Sequence, residues 1–303
     1  MAKKPKIARV FCRRTSATPT DSLAFVDEPP PLFMPEIDEV HVSVAFSWDL
    51  AKADVLHRQW GAVGVPVKVG GPALGEKSGE FTPGMYVKPG ITITSRGCPN
   101  KCWFCGVPVR EGPVRELEIK DGWNVYDDNL LACSDAHIRA VFDMLSRQPE
   151  RVALTGGLEA RRLKPWHCGQ LRIVKPHHMY FAYDTPDDYE PLVAAGRMLG
   201  EYGFTAASHV AKCYVLIGYQ GDTFSAAEKR LADTIKAGFM PYAMLYNGQD
   251  DNKDKDWARF QRDWLRPVTV GAKMRLLARP PNITVGHAGH DERRVKQICL
   301  CQN

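Results

Sequence analysis

The sequence predicts an α/β protein built around a partial (β/α)6 barrel of the TIM type, with a small βαβ-containing region before it and a basic extension after it. Six apolar runs, rich in β-branched and aromatic residues, recur between residues 90 and 247, and stretches with helical periodicity separate them. Apolar strands that alternate with helices are typical of a parallel sheet, which right-handed crossovers curl toward a barrel. The predicted strands are 90–95, 123–128, 151–157, 178–184, 212–219 and 240–247.

The region before the core predicts one βαβ unit behind an extended arm. Residues 1–35 are rich in lysine and contain DEPPPLFMP, which suits an extended arm rather than a helix. EVHVSVAF (39–46) alternates like a strand, 49–64 reads as a helix that ends at glycine, and VPVKVGG (65–71) is a second strand. A Gly- and Pro-rich segment at 72–90 is the expected linker to the core.

Helix signals complete the expected division of the chain. The clearest helices are 134–147, 189–203 and 225–238; Ser134 stands at an N-cap position, and Gly203 and Gly238 at helix stops. We therefore expect an N-terminal arm and small α/β region at 1–89, a barrel core at 90–250 and a basic C-terminal extension at 251–303.

The C-terminal extension carries most of the net charge of +5, with nine Lys or Arg against three Asp or Glu over residues 259–303. A helix is predicted at 256–267, with an aromatic face that packs on the core and an arginine face that suits phosphate. The aromatic residues are Trp257, Phe260 and Trp264, and the arginines are Arg259, Arg262 and Arg266. Such a segment is either a solvated basic face or a surface for an anionic partner.

Composition excludes several classes of protein. Hydrophobic residues make up 44% and charged residues 25%, and no apolar run is long enough to cross a membrane. Nine cysteines, an odd number spread unevenly, match the disulfide frameworks of small secreted domains poorly. We expect a cytoplasmic protein in a reducing compartment, without a membrane partner.

The stretch ITITSRGCPNKCWFCGVPV (91–109) places Cys98, Cys102 and Cys105 on the loop that leaves the first strand of the core. A disulfide scaffold, a zinc site and an iron-sulfur cluster are the alternatives. Structural zinc takes four ligands, usually as two pairs, and this trio has no second pair nearby in sequence. Three thiolates on a four-iron cube leave one iron with an open position for a small molecule.

The spacing C-x3-C-x2-C, with Phe104 just before the last cysteine, resembles the signature of the radical S-adenosylmethionine (radical SAM) superfamily over roughly Gly90 to Asn247. The resemblance implies that Cys98, Cys102 and Cys105 hold a [4Fe-4S] cluster whose fourth iron chelates SAM. Reduction, by a partner such as flavodoxin or ferredoxin, cleaves SAM in that family to a 5'-deoxyadenosyl radical that abstracts hydrogen from a substrate. Phe104 would lie against the adenine.

The resemblance also assigns candidate SAM contacts at the ends of the next two strands. Asp127, Asp128 and Asn129 stand where the family often has a Gly-Gly-Glu run that receives the methionine ammonium, and carboxylates and an amide accept from a cation equally well. Gly156 and Gly157 would permit close backbone approach to the cofactor, with Glu159 as a further acceptor; an ordinary turn is the alternative.

The fourth and fifth strands supply the remaining candidates. Tyr183 and Asp184 would contact the ribose or the methionine carboxylate, unless they are a buried aromatic and a helix-capping acid. Leu216 and Gly218 stand where the family's G-x-I-x-G contacts adenine, although Tyr214 replaces the first glycine. His209, Lys212, Tyr246 and Asn247 near strand ends are candidate substrate contacts.

The order of the two regions resembles cobalamin-binding members of the superfamily, whose leading domain often ends in a run like Gly70-Gly71-Pro72. Those domains usually carry an Asp-x-His-x-x-Gly motif, and neither His41 nor His57 stands in that context. We therefore expect no bound cobalamin. The terminal pair Cys299 and Cys301 is either a redox or capture site, a partner of Cys12 or Cys133 in a second cluster, or part of a flexible tail.

The expected function is radical SAM catalysis on a nucleoside, nucleotide or nucleic-acid base, which the basic C-terminal segment favours. The compact chain also resembles phage-encoded radical SAM proteins that modify DNA bases. Small metabolites and peptides stay open as substrates, and so does the reaction class: isomerase, transferase or lyase. A non-catalytic metal-binding protein that binds nucleic acid is the alternative from another class.

Overall fold

The structure is a computed structural model that describes residues 5–74, 84–246 and 254–277. The N-terminal part is a parallel sheet of order β2-β1-β3-β4, with helix α1 packed on it. Its strands are β1 Ile7–Phe11, β2 Ala24–Val26, β3 Glu39–Ser43 and β4 Val67–Gly70, and α1 is Leu50–Gly61. The predicted βαβ unit is therefore present as β3, α1 and β4.

Part of the segment that was predicted as an extended N-terminal arm is an inner strand of this sheet. β1 lies between β2 and β3 and pairs in parallel with both. Ala8 and Val10 in this strand are fully buried, in a core that also contains Trp60 of α1. The run IARVF is short and follows lysines and a proline, so its local pattern did not separate it from an extended arm.

The core of the protein is a second, six-stranded parallel sheet of order β12-β11-β10-β9-β8-β5. It confirms the predicted partial barrel, and among the described strands it does not close, because β5 and β12 lie at its two edges. These strands are β5 Ile91–Thr92, β8 Asn124–Val125, β9 Ala153–Leu154, β10 His178–Ala182, β11 Ala211–Ile217 and β12 Met240–Leu245. A short antiparallel pair, β6 Ser95–Arg96 and β7 Arg115–Glu116, lies beside it.

The helices after α1 are α2 Val107–Arg110, α3 Asp135–Ser146, α4 Pro165–Val174, α5 Tyr189–Glu201, α6 Phe224–Lys236, α7 Lys255–Leu265 and α8 Pro267–Leu277. The three core helices predicted from periodicity are α3, α5 and α6, and the Ser134 hydroxyl accepts from the His137 amide at 3.2 Å, as an N-cap does. Helices α2, α4 and α8 were not predicted. No helix in these described stretches is both long and apolar enough to span a bilayer.

The two faces of the core sheet differ in chemistry. Alternate strand residues such as Phe181, Val215 and Ala243 are buried in the apolar core with the helices on the outer face. Their neighbours along the strands, such as Tyr180 and Tyr214, are half-buried on the concave face. Because side chains alternate along a strand, one face is filled by packing and the other is left for a site.

Two glycines of α5 test this packing as a matched pair. A Cβ on Gly196 would lie 1.8 Å from the carbonyl oxygen of Ala237, whereas a Cβ on Gly200 meets nothing within 4 Å. We expect Gly196→Ala to lower the free energy of unfolding by about 1–3 kcal/mol through overpacking, and Gly200→Ala to raise it by about 0.5–1 kcal/mol through helix propensity. Urea unfolding of both variants checks this, and equal effects would contradict the placement of α5.

Candidate metal centre

The cysteine loop runs from β5 to α2 across the carboxyl edge of the core sheet, and its three thiols are half-buried. Gly97 has a φ of +91°, and a Cβ there would lie 2.3 Å from the carbonyl oxygen of Pro113. The Cys98 amide donates to the Gly112 carbonyl at 3.3 Å. Only glycine fits at position 97, so the turn before Cys98 depends on it.

Asp127, which follows β8, fixes the start of this loop. One of its oxygens accepts from the Thr94 amide at 2.6 Å, and the other accepts from the hydroxyls of Thr94 at 2.6 Å and Ser95 at 2.8 Å. The residue is 1% exposed, and burial raises the pKa of its carboxyl while these donors oppose the shift. Both oxygens of Asp127 face the loop, and its direct contact with SAM stays a prediction.

Asp128 holds the next part of the same loop. Its carboxylate accepts from the Gly97 amide at 2.8 Å and lies 3.5 Å from the Arg96 guanidinium. The residue next to Cys98 is thus tied to the strand end by a charge-assisted hydrogen bond. Asp128 contributes to the site by holding the loop; direct contact with SAM stays a prediction.

Asn129 contacts the first cysteine itself. Its amide nitrogen lies 3.5 Å from the Cys98 sulfur and donates to Glu159 at 2.8 Å, and Glu159 in turn accepts from Arg162 at 2.7 Å. A carboxylate only accepts, so the Glu159 contact sets which end of the amide is nitrogen. The Asn129 carbonyl oxygen is buried and lacks a hydrogen-bond partner in the described structure, so it can accept from a bound molecule.

The three thiols lie close enough to influence one another. Burial first, and then the neighbouring cysteines, raise the pKa of Cys102; burial also raises the pKa of Cys105, with Cys98 adding to the shift. Within the described ranges, no three His, Cys, Asp or Glu side chains are grouped tightly enough to ligate one metal ion. A [4Fe-4S] cluster takes each thiolate on a separate iron, and a donor set of three half-buried thiols on one loop fits that group.

Gly156 and Gly157 allow two loops to approach each other. A Cβ on Gly156 would lie 2.1 Å from the Asp127 carbonyl oxygen, and one on Gly157 would lie 2.6 Å from that of Asp128. The space left by the missing side chains is therefore filled by the backbone after β8. These glycines support the Asp127–Asp128 turn. Backbone atoms fill the side on which their Cβ atoms would stand, so a cofactor has no open space there.

Two candidate residues follow β10: Tyr183 lies in the core and Asp184 lies at the site. Tyr183 is 5% exposed and belongs to the apolar core beside Tyr189, and its contact with SAM stays a prediction. Asp184 accepts from the Leu216 amide at 2.9 Å, and burial raises the pKa of its carboxyl to about 6. Asp184 and Leu216 lie at neighbouring strand ends, as the sequence predicted.

Gly218 has a φ of +73°, and a Cβ there would lie 2.7 Å from Leu245 and 3.1 Å from Trp257. Helix α7 therefore packs over the position predicted to contact adenine. Phe104 is half-buried with its ring edge-on to Trp103, which is 61% exposed and lies 5.5 Å from the rings of Tyr219 and Tyr246. The cysteine loop thus reaches the ends of β11 and β12 through aromatic contacts.

The concave face holds site residues that the sequence reasoning did not select. Tyr180, Tyr214 and Tyr242 form one aromatic cluster, with ring centroids 4.6–6.0 Å apart, and the Lys212 amine lies 3.4 Å from the Tyr180 hydroxyl. The sequence signal that could have identified these residues is the period-two alternation along β10, β11 and β12. Lys212 was predicted as a candidate substrate contact near a strand end, whereas the three tyrosines were not predicted as site residues.

A cavity of about 640 Å³ lies between the two sheets. The carboxyl ends of β1, β3 and β4 form one wall, and Ile93, Arg96 and Tyr126 of the core form the other. His41 lines it, but one ring nitrogen lies 2.6 Å from the Tyr86 hydroxyl and the other 2.9 Å from Glu39. The carboxyl edge of an open parallel sheet is where such sheets bind ligands.

Other candidates lie away from the cysteine loop or outside the described residues. His209 is exposed and precedes β11, at the opposite edge of the sheet. In α7, Trp264 is buried and Arg266 pairs with Asp263. Asn247, Cys299 and Cys301 lie outside the described residues.

Asp184 makes stability depend on pH. Its pKa rises from 3.8 to about 6 on folding, so the folded protein binds the proton more tightly and loses stability as pH rises through this window. We expect the wild type to lose about 2 kcal/mol relative to Asp184→Asn between pH 4 and pH 7, measured by urea unfolding. The exposed neighbour Asp187→Asn is the control, and a pH-independent difference for Asp184→Asn would contradict the assignment.

Comparisons with known proteins support the fold. No protein-family model matches the sequence, and no curated protein is similar to it in sequence. Among solved structures, the radical SAM methyltransferase TsrM from Kitasatospora setae with cobalamin and [4Fe-4S] cluster bound is similar, with a TM-score of 0.57 and 11% identity over 80% of this chain and 75% of that chain. TsrM with tryptophan substrate and the SAM analog aza-SAM gives 0.56 and 10% identity over 81% and 73%. The chain therefore shares its fold with these two structures over about four fifths of its length.

Proposed function

We propose that the protein is a radical SAM enzyme that binds a [4Fe-4S] cluster through Cys98, Cys102 and Cys105. The observation that carries the proposal is the position of these thiols on the loop after the first core strand, held by Asp127 and Asp128. The fold is similar to TsrM, whose structures contain the cluster and a SAM analog. When bound, the reduced cluster supplies the electron that cleaves SAM and starts hydrogen abstraction.

The residues of the chain would position the reactants. Asn129 donates toward the Cys98 sulfur, and such hydrogen bonds raise the reduction potential of a cluster because they stabilise its added charge. The unpartnered carbonyl oxygen of Asn129 is an acceptor for the SAM ammonium. Trp103 of the cysteine loop contacts Tyr219 and Tyr246, and these rings would limit access of water to the loop.

The proposed substrate is a nucleoside, nucleotide or nucleic-acid base. The aromatic cluster on the concave face suits a planar base, because every base stacks on an aromatic ring. Lys212 on the same face supplies a cation. A reductant such as flavodoxin or ferredoxin would act as the electron donor.

Anaerobic reconstitution tests the cluster. We expect a brown protein with about four irons per chain that converts SAM to 5'-deoxyadenosine after reduction. Cys98→Ala, Cys102→Ala and Cys105→Ala should each lose iron and 5'-deoxyadenosine production, measured by iron analysis and mass spectrometry. Cys133→Ala, also half-buried, is the matched control and should keep both.

A non-catalytic metal-binding protein would give a different result in the same experiment. It would hold metal and produce no 5'-deoxyadenosine with any reductant. A colourless protein with one zinc per chain would contradict the cluster, and activity in all three cysteine variants would contradict the assigned ligands.

The cavity between the sheets favours a second candidate function, methyl transfer with a corrinoid, because TsrM is a methyltransferase whose structure contains cobalamin. Its volume of about 640 Å³ lies in the range of cofactor sites, and it reaches Tyr126 beside the Asp127 turn. Both nitrogens of His41 are engaged, so a corrinoid would bind without an imidazole ligand from that residue. The sequence agrees with this, because neither His41 nor His57 stands in an Asp-x-His-x-x-Gly motif.

Gel filtration after incubation with hydroxocobalamin tests this candidate. Retention of about one corrinoid per chain, lost in Ala45→Trp and kept in Ala51→Trp, would support it, because Ala45 lines the cavity and Ala51 lies on exposed α1 surface. Passage of the corrinoid through the column without retention by the wild type would exclude this second function and leave the first unaffected.

A further inference from the structure

The concave face of the core sheet carries a cation that lacks a counter-charge. Lys212 is the second residue of β11, and burial lowers the pKa of its ammonium group. Its hydrogen-bond partner is the neutral hydroxyl of Tyr180 at 3.4 Å, and its amine lies 5.3 Å from the centre of that ring. Within the described ranges, no carboxylate lies within ion-pair distance of Lys212.

The groups around Lys212 do not supply a negative charge. Burial raises the pKa of both Tyr180 and Tyr214, which keeps the two phenols neutral at physiological pH. His178, on the same face of β10, has a buried Nδ1 without a hydrogen-bond partner, and burial and Lys212 lower its pKa to about 4. A partly desolvated ammonium beside neutral groups is unfavourable unless an anion completes the site.

The aromatic rings beside Lys212 form a wall suited to a planar group. The rings of Tyr180 and Tyr214 stack at 4.6 Å with an angle of 15°, and Tyr242 stands perpendicular to Tyr214 at 5.4 Å. In the strand register, Lys212 pairs with Tyr180, and Tyr214 pairs with Tyr242. Lys212 and Tyr180 therefore occupy one level of this face, and Tyr214 and Tyr242 occupy the next.

The distance along β11 relates this site to the cysteine loop. Leu216, whose amide contacts Asp184, lies four residues after Lys212 on the same face of the strand. Four residues of a strand span about 13 Å. A molecule anchored at Lys212 by an anion must extend past the tyrosines to reach the carboxyl edge, where the cysteine loop lies.

We propose that Lys212 binds the phosphate of a nucleoside monophosphate while Tyr180, Tyr214 and Tyr242 pack against its base, on the concave face of the core sheet. This inference rests on the proposed nucleotide class of substrate and assigns its anchor. The phosphate is either that of a free mononucleotide or one in a single-stranded nucleic acid, since both present the same group next to a base.

Calorimetric binding to the full-length, cluster-loaded protein with SAM tests the anchor. The probes are thymidine 5'-monophosphate, adenosine 5'-monophosphate, the two nucleosides and a short single-stranded oligodeoxynucleotide. We expect at least one monophosphate to bind about 10-fold or more tightly than its nucleoside, with an affinity that falls as salt rises. Lys212→Met should abolish that difference, and Lys212→Arg should retain most of it.

Matched variants separate an anchor from a structural role. Lys236→Met, on the exposed outer helix α6, should leave the phosphate preference unchanged. Lys212→Met should be at least as stable as the wild type in thermal unfolding, because it removes a buried cation, whereas a structural lysine would cost stability when removed. Oligonucleotide binding that depends on Lys212 would support the site with nucleic acid as the source of the phosphate.

The inference and the proposed function fail in different measurements. Equal binding of monophosphates and nucleosides, or a phosphate preference that survives in Lys212→Met, would overturn the anchor. Production of 5'-deoxyadenosine in the same samples reports the radical SAM function independently.

Discussion

The hydrogen bonds between the carboxylates after β8 and the loop after β5 are the constraint on which the candidate site depends. Asp127 is 1% exposed, and a buried carboxylate is tolerated only when donors surround it. Thr94 and Ser95 provide those donors. Asp128 accepts a further hydrogen bond from the amide of Gly97, one residue before Cys98. The first thiol is thereby held at a defined place on the sheet edge.

Glycines allow the backbone layers of this edge to stack closely. The Asp127 carbonyl occupies the space that a side chain on Gly156 would need. The Pro113 carbonyl occupies the corresponding space at Gly97. The cysteine loop therefore rests on the turn after β8, and that turn rests on the loop after β9. Close packing of three backbone segments gives a site that needs little reorganisation on binding.

Side chains alternate between the two faces of the core sheet, so that one face packs against the helices and the other carries polar groups. Its outer face contributes Phe181 and Val215 to one apolar core with the helices. Its concave face contributes tyrosines and a lysine that no described carboxylate neutralises. The N-terminal sheet adds a ligand-sized space, because its carboxyl edge meets the core at Ile93 and at Tyr126, which follows β8.

The sequence by itself determined the six core strands, five of the helices and the loop with the C-x3-C-x2-C spacing, because periodicity and spacing are local properties. Helix α4 escaped prediction because PWHCGQLRIV contains Gly169 and two β-branched residues, which have low helix propensity. Only the tertiary structure decided that β1 is an inner strand, that Asp127 faces the loop and that Tyr183 is core. Each of these depends on partners brought together by strand pairing, which the local pattern does not encode.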